Sequence, residues 1–279
     1  MPCLPRVWVI KVDCPDGGVP VAEMPKGILG TNESMLPLPH RPIVVRRLHG
    51  AEPCASCDAR PNSVCSAIDD RDLERLAAVA VVSKAEPGRA FINEGERATS
   101  FFNVTAGTAR LFKLLPDGRR QITGFAGAGH FLGLAVSDTY AFSAEAIGLV
   151  FYCRFARPRL REVLDDFPAL ERRLLGVASN ELVAAQEQML LLGRKTAKER
   201  VASFLLARSV ETPPCTGPVQ RLSLPMTRSD IADYLGLTIE TVSRTLTRLK
   251  MDRVIGIPNI SDILIHDQHA LEALAGCGG

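Results

Sequence analysis

The stretch that decides the fold runs from Thr227 to Lys250 and reads TRSDIADYLGLTIETVSRTLTRLK. Its spacing predicts two short helices joined by a sharp turn at Gly236, because glycine enters a positive φ at low cost. Ala232 is small where the two helices would touch, and Thr238 is suited to cap the second helix. The apolar residues with inward-facing spacing are Ile231, Leu235 and Leu237, followed by Val242, Leu246 and Leu249.

The outward face of the second helix carries Glu240, Ser243 and Arg244 at positions i, i+3 and i+4, so their side chains project together. A helix-turn-helix has this arrangement, and its second helix enters the DNA major groove by the N-terminal end. Arginine can donate two hydrogen bonds to guanine, glutamate can accept one from cytosine, and a serine hydroxyl can do either. An ordinary helical hairpin also buries apolar residues, but here the small, turn and apolar positions all fall in register. The stretch therefore predicts DNA binding through these three side chains.

Positive charge is concentrated around this stretch. The whole chain of 279 residues has a formal net charge of +2, whereas residues 194–253 hold eleven Lys or Arg against six Asp or Glu, a surplus of five. A basic region on a near-neutral chain suits contacts with DNA phosphates. The chain shows no apolar run long enough to span a membrane and no signal-peptide pattern, so we expect a cytoplasmic protein.

The eight cysteines are not expected to form a disulfide framework, because the cytoplasm keeps thiols reduced. Cys54 and Cys57 form a Cys-x2-Cys turn, and Cys65 follows shortly after. Thiolates are soft ligands for zinc or iron–sulfur clusters, but three do not complete a set of four, so a fourth ligand must come from elsewhere. A redox-active thiol pair or unbound thiols remain the alternative. The cysteines interpreted as incidental lie in terminal or loop-like segments: Cys3, Cys14, Cys215 and Cys277.

The rest of the pattern indicates an α+β chain in four parts. Residues 1–50 are rich in proline and glycine without sustained periodicity, which we interpret as a loosely structured N-terminal extension. Residues 51–167 contain the cysteines, a predicted helix from Asp69 to Val82, and short glycine-punctuated strands typical of a small jelly roll. The predicted strands are 91–92, 100–104, 110–115, 121–125 and 150–155, with a hairpin turn at 116–118.

Residues 168–193 predict one long helix that carries a heptad seam of small and apolar side chains. The seam consists of Leu175, Ala178, Leu182, Ala185, Met189 and Leu192. About 25 residues would extend roughly 37 Å at 1.5 Å per residue, longer than the small barrel needs. We therefore expect homodimerisation through this seam rather than packing within one chain. Residues 194–279 add a helix at 195–208, the helix-turn-helix and a β-hairpin wing at 254–265.

This order of parts resembles the Crp/Fnr family, the bacterial regulators named for the catabolite activator protein and the fumarate–nitrate reduction regulator. The resemblance covers roughly residues 50–275 and is sharpest in LTIETVSR at 237–244, with further similarity in QITGF at 121–125 and MLLL at 189–192. It implies a β-roll sensor domain like that of cyclic-nucleotide-binding proteins, a dimerisation helix and a C-terminal winged helix-turn-helix. It also implies a DNA-binding transcription regulator, not an enzyme, which contacts RNA polymerase through barrel turns near 116–118.

Within this family the chain looks like the oxygen-sensing fumarate–nitrate branch, which holds a [4Fe-4S] cluster whose loss in oxygen weakens DNA binding. The ligands implied by the resemblance are Cys54, Cys57, Cys65 and Cys153. It also implies that the three side chains of the recognition helix read TTGAT half-sites in an inverted repeat. Zinc accepts the same four thiolates, so a structural zinc site or a thiol redox site on the same fold remains an alternative. A cupin-type metalloenzyme is a more remote alternative, because cupin metal sites use clustered histidines and the predicted barrel has only His130.

The resemblance does not extend to the cyclic-nucleotide pocket of the related branch, which uses a Gly-Glu stretch and an Arg-Ser pair. This chain has GHFLG at 129–133 and AFSA at 141–144 instead. No arginine lies between Arg120 and Arg154, so a buried cyclic phosphate would be unpaired, at a cost on the order of several kcal/mol. We therefore expect no cyclic nucleotide as a ligand.

The seam residue Ala185 departs from some cluster-bearing sensors, which place an acidic residue there. Repulsion between two such acidic residues weakens the dimer when the cluster is absent, and alanine removes that repulsion. We therefore expect a dimer that persists after cluster loss, which sedimentation of the apo-protein tests.

Overall fold

The computed structural model describes residues 46–47, 52–134, 137–211 and 219–276. The segment at 1–50 that is predicted to be loosely structured lies outside these ranges except for strand β1 (Arg46–Arg47), whose residues pair with Val82 and Val81, so that description stays a prediction. The four cysteines interpreted as incidental also lie outside the described residues.

The cysteine segment is a compact series of short helical turns. It begins with α1 (Glu52–Ala55), continues through 3-10 turns at Arg60–Asn62, Val64–Ala67 and Asp70–Asp72, and ends in α2 (Leu73–Val79). The predicted helix at 69–82 is therefore too long at both ends. Its last residues begin a strand instead, because Ala80, Val81 and Val82 pair antiparallel with residues 153–155.

The β-roll predicted for the sensor domain is confirmed. Its strands are β2 (Ala80–Ala85), β3 (Ala90–Ile92), β4 (Ser100–Ala106), β5 (Ala109–Leu114), β6 (Arg120–Ala126), β7 (Phe131–Leu132), β8 (Ser143–Ala146) and β9 (Val150–Ala156). They form the sheets β1-β2-β9-β4-β7 and β3-β8-β5-β6, whose facing side chains include the buried residues Phe102, Val104 and Tyr152. The turn at 116–118 joins β5 to β6 and has Gly118 at φ 82°, as its sequence indicated.

Three consecutive helices follow the roll: α3 (Arg157–Asp166), α4 (Pro168–Arg194) and α5 (Ala197–Glu211). The sequence predicted α4 and α5 but not α3. The first turn of α4 is anchored on the roll by the buried Leu170 and Leu174. Among the helices in the described parts of the chain, none combines the length and apolar character needed to cross a membrane.

The C-terminal part contains β10 (Gln220–Ser223), α6 (Arg228–Leu235), α7 (Ile239–Met251), β11 (Ile255–Gly256), β12 (Asp262–Ile265) and α8 (Gln268–Leu274). The strands β11 and β12 are the predicted wing, and β10, which the sequence analysis missed, completes an antiparallel sheet in the order β10-β12-β11. The α+β class and the winged helix-turn-helix are thus confirmed.

The β-roll and the helix-turn-helix share one apolar core. Phe112, Ile122 and Phe125, which lie on β5 and β6, belong to the same buried cluster as the core of α5, α6 and α7. The ring of Phe125 lies 5.4 Å, centroid to centroid, from that of Tyr234 on α6. This packing fixes the orientation of the helix-turn-helix on the sensor domain within one chain.

Candidate DNA-binding face and cysteine site

Both helices of the helix-turn-helix start and stop where the sequence predicts. At the start of α6, Thr227 Oγ1 accepts a hydrogen bond from the Asp230 N–H at 3.1 Å, and Asp230 Oδ2 accepts one from the Thr227 N–H at 2.9 Å. This reciprocal pair is a capping box. Gly236 ends the helix at φ 60° and ψ 43°, and Thr238 caps α7 by accepting a hydrogen bond from the Thr241 N–H at 3.2 Å.

The three predicted DNA-contacting residues lie together on the exposed face of α7, in its first two turns. Glu240, Ser243 and Arg244 are all exposed, while Val242 and Leu246 on the inward face of the helix are buried. The pKa of Glu240 is lowered by its own backbone N–H, by the Thr238 hydroxyl and by the charge of Arg244. An anionic acceptor, a hydroxyl and a guanidinium are therefore presented side by side. Their individual contacts with bases stay a prediction.

The predicted metal-ligating cysteines come from two distant segments that the fold brings together. Cys54 and Cys65 lie in the short helical turns before the roll, and Cys153 lies on β9. These three pack against one apolar cluster beneath the loop, hereafter the sub-loop cluster. Its members include Val64, Ile68, Leu73, Phe131, Phe155, Leu160, Leu170 and Leu174.

Hydrogen bonds shape the loop between the first and third cysteines. Arg60 Nη1 contacts Asp70 Oδ1 at 2.5 Å, and Arg60 Nη2 donates to the Ile68 carbonyl oxygen at 2.8 Å. Ser63, which is buried, accepts from the Cys65 N–H at 3.2 Å. The arginine thus holds the loop closed and keeps a positive charge beside the thiols.

The surroundings favour the neutral form of the buried thiols. Burial, together with smaller contributions from the nearby Cys65, Cys54 and Cys57, raises the pKa of Cys153 to about 12. Burial likewise raises the pKa of Cys65 to about 11, against smaller lowering effects from the Ser63 hydroxyl and from Arg60. The pKa of Cys54 is raised by burial and by Cys57 and is lowered by Arg60. The thiols of Cys54, Cys57 and Cys65 are therefore close enough to Cys153 to affect its pKa.

The donor set suits a thiolate-bound metal group. Four sulfurs, an apolar floor and an adjacent arginine are what a buried anionic cluster needs. In the ranges that the structure describes, no group of three or more His, Cys, Asp or Glu side chains is already arranged to hold a metal ion. The sulfurs are thus neighbours rather than a closed coordination shell.

Comparison with known proteins shows the family to which the chain belongs. Residues 199–274 match the model of the Crp-like helix-turn-helix domain, and residues 82–167 match that of the cyclic nucleotide-binding domain. The chain is 43% identical over 235 residues to the nitrogen fixation regulation protein FixK of Bradyrhizobium diazoefficiens, spanning 84% of this chain and 99% of that protein. The chain belongs to the Crp/Fnr family.

Other Crp/Fnr members extend the similarity. The transcriptional activator protein FnrL of Cereibacter sphaeroides is 36% identical over 228 residues, 80% of this chain and 92% of that protein. The structure of FixK2 from Bradyrhizobium japonicum superposes with a TM-score of 0.67 at 36% identity, covering 72% of this chain and 100% of that one. The chain is therefore a DNA-binding transcriptional regulator of the Crp/Fnr type and not an enzyme, as the sequence indicated.

Sequence analysis missed the residues that join the two halves of this Crp/Fnr regulator. Asp230, 1% exposed, accepts from Arg110 Nη1 at 2.8 Å and from Arg120 Nη2 at 3.2 Å, and Arg110 also pairs with Glu145. Gln121 Nε2 donates to the Asp233 carbonyl oxygen at 2.7 Å. The Thr-x-x-Asp spacing signals the cap at Asp230, but no local pattern signals its partners on β5 and β6.

Proposed function

We propose that this regulator senses oxygen through a [4Fe-4S] cluster held by Cys54, Cys57, Cys65 and Cys153. The observation that carries the proposal is the position of Cys153, which the sheet places beside the loop thiols on the sub-loop cluster. When bound, the cluster supplies an oxygen-sensitive tie between the loop and the last strand of the roll. The Arg60 guanidinium beside the loop offsets part of the negative charge of four thiolates.

The packing supports a route from the cysteines to the dimer helix. The sub-loop cluster includes Leu160 of α3 and Leu170 and Leu174 of α4, so the loop rests directly on the start of the long helix. At the other end of α4, Gln188 Nε2 donates to the Tyr234 carbonyl oxygen at 2.8 Å. Arg200 links the Leu192 and Leu235 carbonyl oxygens with bonds of 2.8 and 2.9 Å. A change in the loop can therefore reach the helix-turn-helix through one rigid element.

The exposed seam of α4 supports dimerisation with a second copy of this chain. Leu175, Leu182 and Met189 are 69%, 61% and 65% exposed, although they are large and apolar. A second copy would cover them, as a heptad seam requires. We expect Leu182→Glu to convert the dimer to a monomer in sedimentation, whereas Glu181→Gln on the neighbouring position leaves it dimeric. An unchanged dimer in the Leu182→Glu variant would contradict this assignment.

We propose that each recognition helix of the dimer binds one TTGAT half-site of an inverted repeat. Such half-sites lie about one helical turn apart, which suits a two-fold dimer. Relatives named as transcriptional activators support an activating role, which requires contact with RNA polymerase. Leu114 and Leu115, 58% and 40% exposed beside the turn at 116–118, make that turn a suitable contact surface.

Replacing Cys153 with alanine tests whether this residue is a ligand of the proposed [4Fe-4S] cluster. Because the variant removes one of four ligands, we expect anaerobically prepared protein to lose its visible iron–sulfur absorbance and its anaerobic operator binding. The control is Cys277→Ala, which changes a thiol outside the proposed ligand set and should retain both. Retained absorbance in Cys153→Ala would remove that residue from the ligand set. A colourless unmodified protein that contains zinc would favour the structural zinc site instead.

A further inference from the structure

Asn103 on β4 is a buried polar residue that neither the DNA-binding face nor the four thiols account for. It is 1% exposed, and its Oδ1 atom has no hydrogen-bond partner in the described parts of the chain. Buried amide groups normally have partners, because an unpaired one has lost its water without compensation. The unpaired Oδ1 atom therefore indicates a partner outside the described residues.

The strand register places this amide beside the cysteine site. Asn103 is paired directly with Cys153 of β9 on one side and with Phe131 of β7 on the other. Directly opposed residues of antiparallel strands share a face of the sheet, with Cβ atoms about 4.5–5.5 Å apart. Cys153 and Phe131 both pack on the sub-loop cluster, whereas Phe102 and Val104, the neighbours of Asn103 along β4, belong to the core of the roll. The amide therefore lies on the side where the cluster is proposed.

We infer that Asn103 Nδ2 donates a hydrogen bond to the Cys153 sulfur, or to a sulfide next to it, when the site is loaded. The inference rests on the proposed function. The oxygen and nitrogen of an asparagine side chain exchange positions by a half-turn, so the NH2 group can reach the place that Oδ1 occupies. A metal-bound thiolate has lone pairs and no proton, which makes it an acceptor for this donor.

The hydrogen bond would set how long the loaded site survives in air. Hydrogen bonds to cluster sulfurs tune the reduction potential, because they stabilise the electron-rich form. Donation from Asn103 should therefore slow the oxidative loss of the cluster. In the apo-protein the same side chain costs stability, because its Oδ1 atom has no hydrogen-bond partner among the described residues. These opposite effects in the two states distinguish a donor to the cluster from a residue that is merely structural.

Asn103→Val and Asn103→Thr form a matched pair that separates the two roles. Valine and threonine have the same shape and suit a strand, but only threonine carries a hydroxyl donor. In the apo-protein we expect the valine variant to unfold at the higher denaturant concentration, because the threonine hydroxyl is left unpaired there. After anaerobic loading we expect the reverse order, with absorbance in air decaying at least about threefold faster in the valine variant.

Ser143→Ala is the control for a change in a buried polar residue of the roll away from the cysteines. The Ser143 hydroxyl accepts from the Glu94 N–H at 3.0 Å, so its loss should lower stability without changing the decay in air. Equal decay rates for the valine and threonine variants would overturn the inference while leaving the cluster in place. Unmodified protein that carries neither iron nor acid-labile sulfide would overturn the cluster and this inference together. If either variant fails to fold by circular dichroism, Asn103→Ala and Asn103→Ser repeat the comparison.

Discussion

The helix-turn-helix is complete within residues 227–251, whereas the cysteine site joins a loop before the roll to the last strand of the roll. In the first region, caps at Thr227 and Thr238 and the left-handed Gly236 satisfy the backbone locally. In the second, burial raises the pKa of the Cys65 and Cys153 thiols, and Asn103 Oδ1 has no hydrogen-bond partner among the residues that the structure describes. The polar groups of the helix-turn-helix are thus satisfied locally, whereas the described part of the cysteine site leaves one buried oxygen without a partner.

The locally satisfied helix-turn-helix and the incompletely satisfied cysteine site suit different functions. A recognition helix must keep one shape in order to read bases, and its full set of caps and buried side chains gives that rigidity. A sensor must differ between two states, and a site whose polar groups are satisfied only when loaded provides that difference. The helix-turn-helix meets the β-roll at Asp230, which belongs to the capping box of α6 and to the ion pairs with Arg110 and Arg120 of the roll.

The largest effect is expected from Asp230→Ala, which breaks the junction between the helix-turn-helix and the β-roll. The substitution removes a carboxylate that is 1% exposed and leaves Arg110 and Arg120 without this partner. Breaking a buried ion pair typically costs about 3–5 kcal/mol when the remaining charge is left uncompensated. Because Arg110 keeps Glu145 and Arg120 keeps Asp233, the loss should lie at the low end of that range. We expect a loss of that size in the free energy of unfolding, measured by chemical denaturation.

Asp233→Ala is the matched control for this prediction. Asp233 lies on the same helix and pairs with Arg120 at 2.8 Å, but its side chain is 30% exposed and takes no part in the cap. An ion pair of this kind contributes about 1 kcal/mol or less. Similar losses for the two variants would show that the junction is not specifically organised around Asp230.

The two regions also differ in how far the sequence predicts them. Apolar spacing, Gly236 and two threonine caps suffice to place α6 and α7, since every determinant lies within a few residues of its partner. The fourth cysteine came only from the family resemblance, because no local pattern connects β9 to the loop. Local patterns likewise do not reveal the partners of Asp230 on the β-roll. They also do not reveal the strand that begins within the predicted helix at 69–82, where cross-strand pairing overrides helical spacing.

A smaller effect, confined to the DNA-reading region, is expected from Arg244→Ala. Loss of a bidentate contact with a base costs about 1–3 kcal/mol, so operator affinity should fall roughly 5- to 150-fold. Because Arg244 is exposed, the free energy of unfolding should change by no more than about 0.5 kcal/mol. Fluorescence anisotropy with operator and scrambled duplexes measures the binding, and denaturation measures the stability.

Lys250→Ala provides the comparison for that experiment. Lys250 is exposed in the last turn of the same helix, away from the end that enters the groove. Its charge can contribute only to sequence-independent attraction, so both duplexes should weaken equally and modestly. If Arg244→Ala weakened the scrambled duplex as much as the operator, Arg244 would be a phosphate contact and not a reader of bases.

The smallest effect is expected from Thr238→Ala, which removes the cap of α7 and nothing else in the core. Thr238 is exposed, so its hydroxyl stabilises the fold mainly through the bond from the Thr241 N–H. Loss of such a cap costs about 1 kcal/mol. Thr247→Ala on the same helix is the control, because its hydroxyl bonds back to the Ser243 carbonyl oxygen and caps nothing. That change should be neutral or slightly stabilising, since alanine is the better helix former. Equal losses for the two variants would mean that the helix is held by packing alone, and the DNA-reading region would then depend on the tertiary fold as much as the cysteine site does.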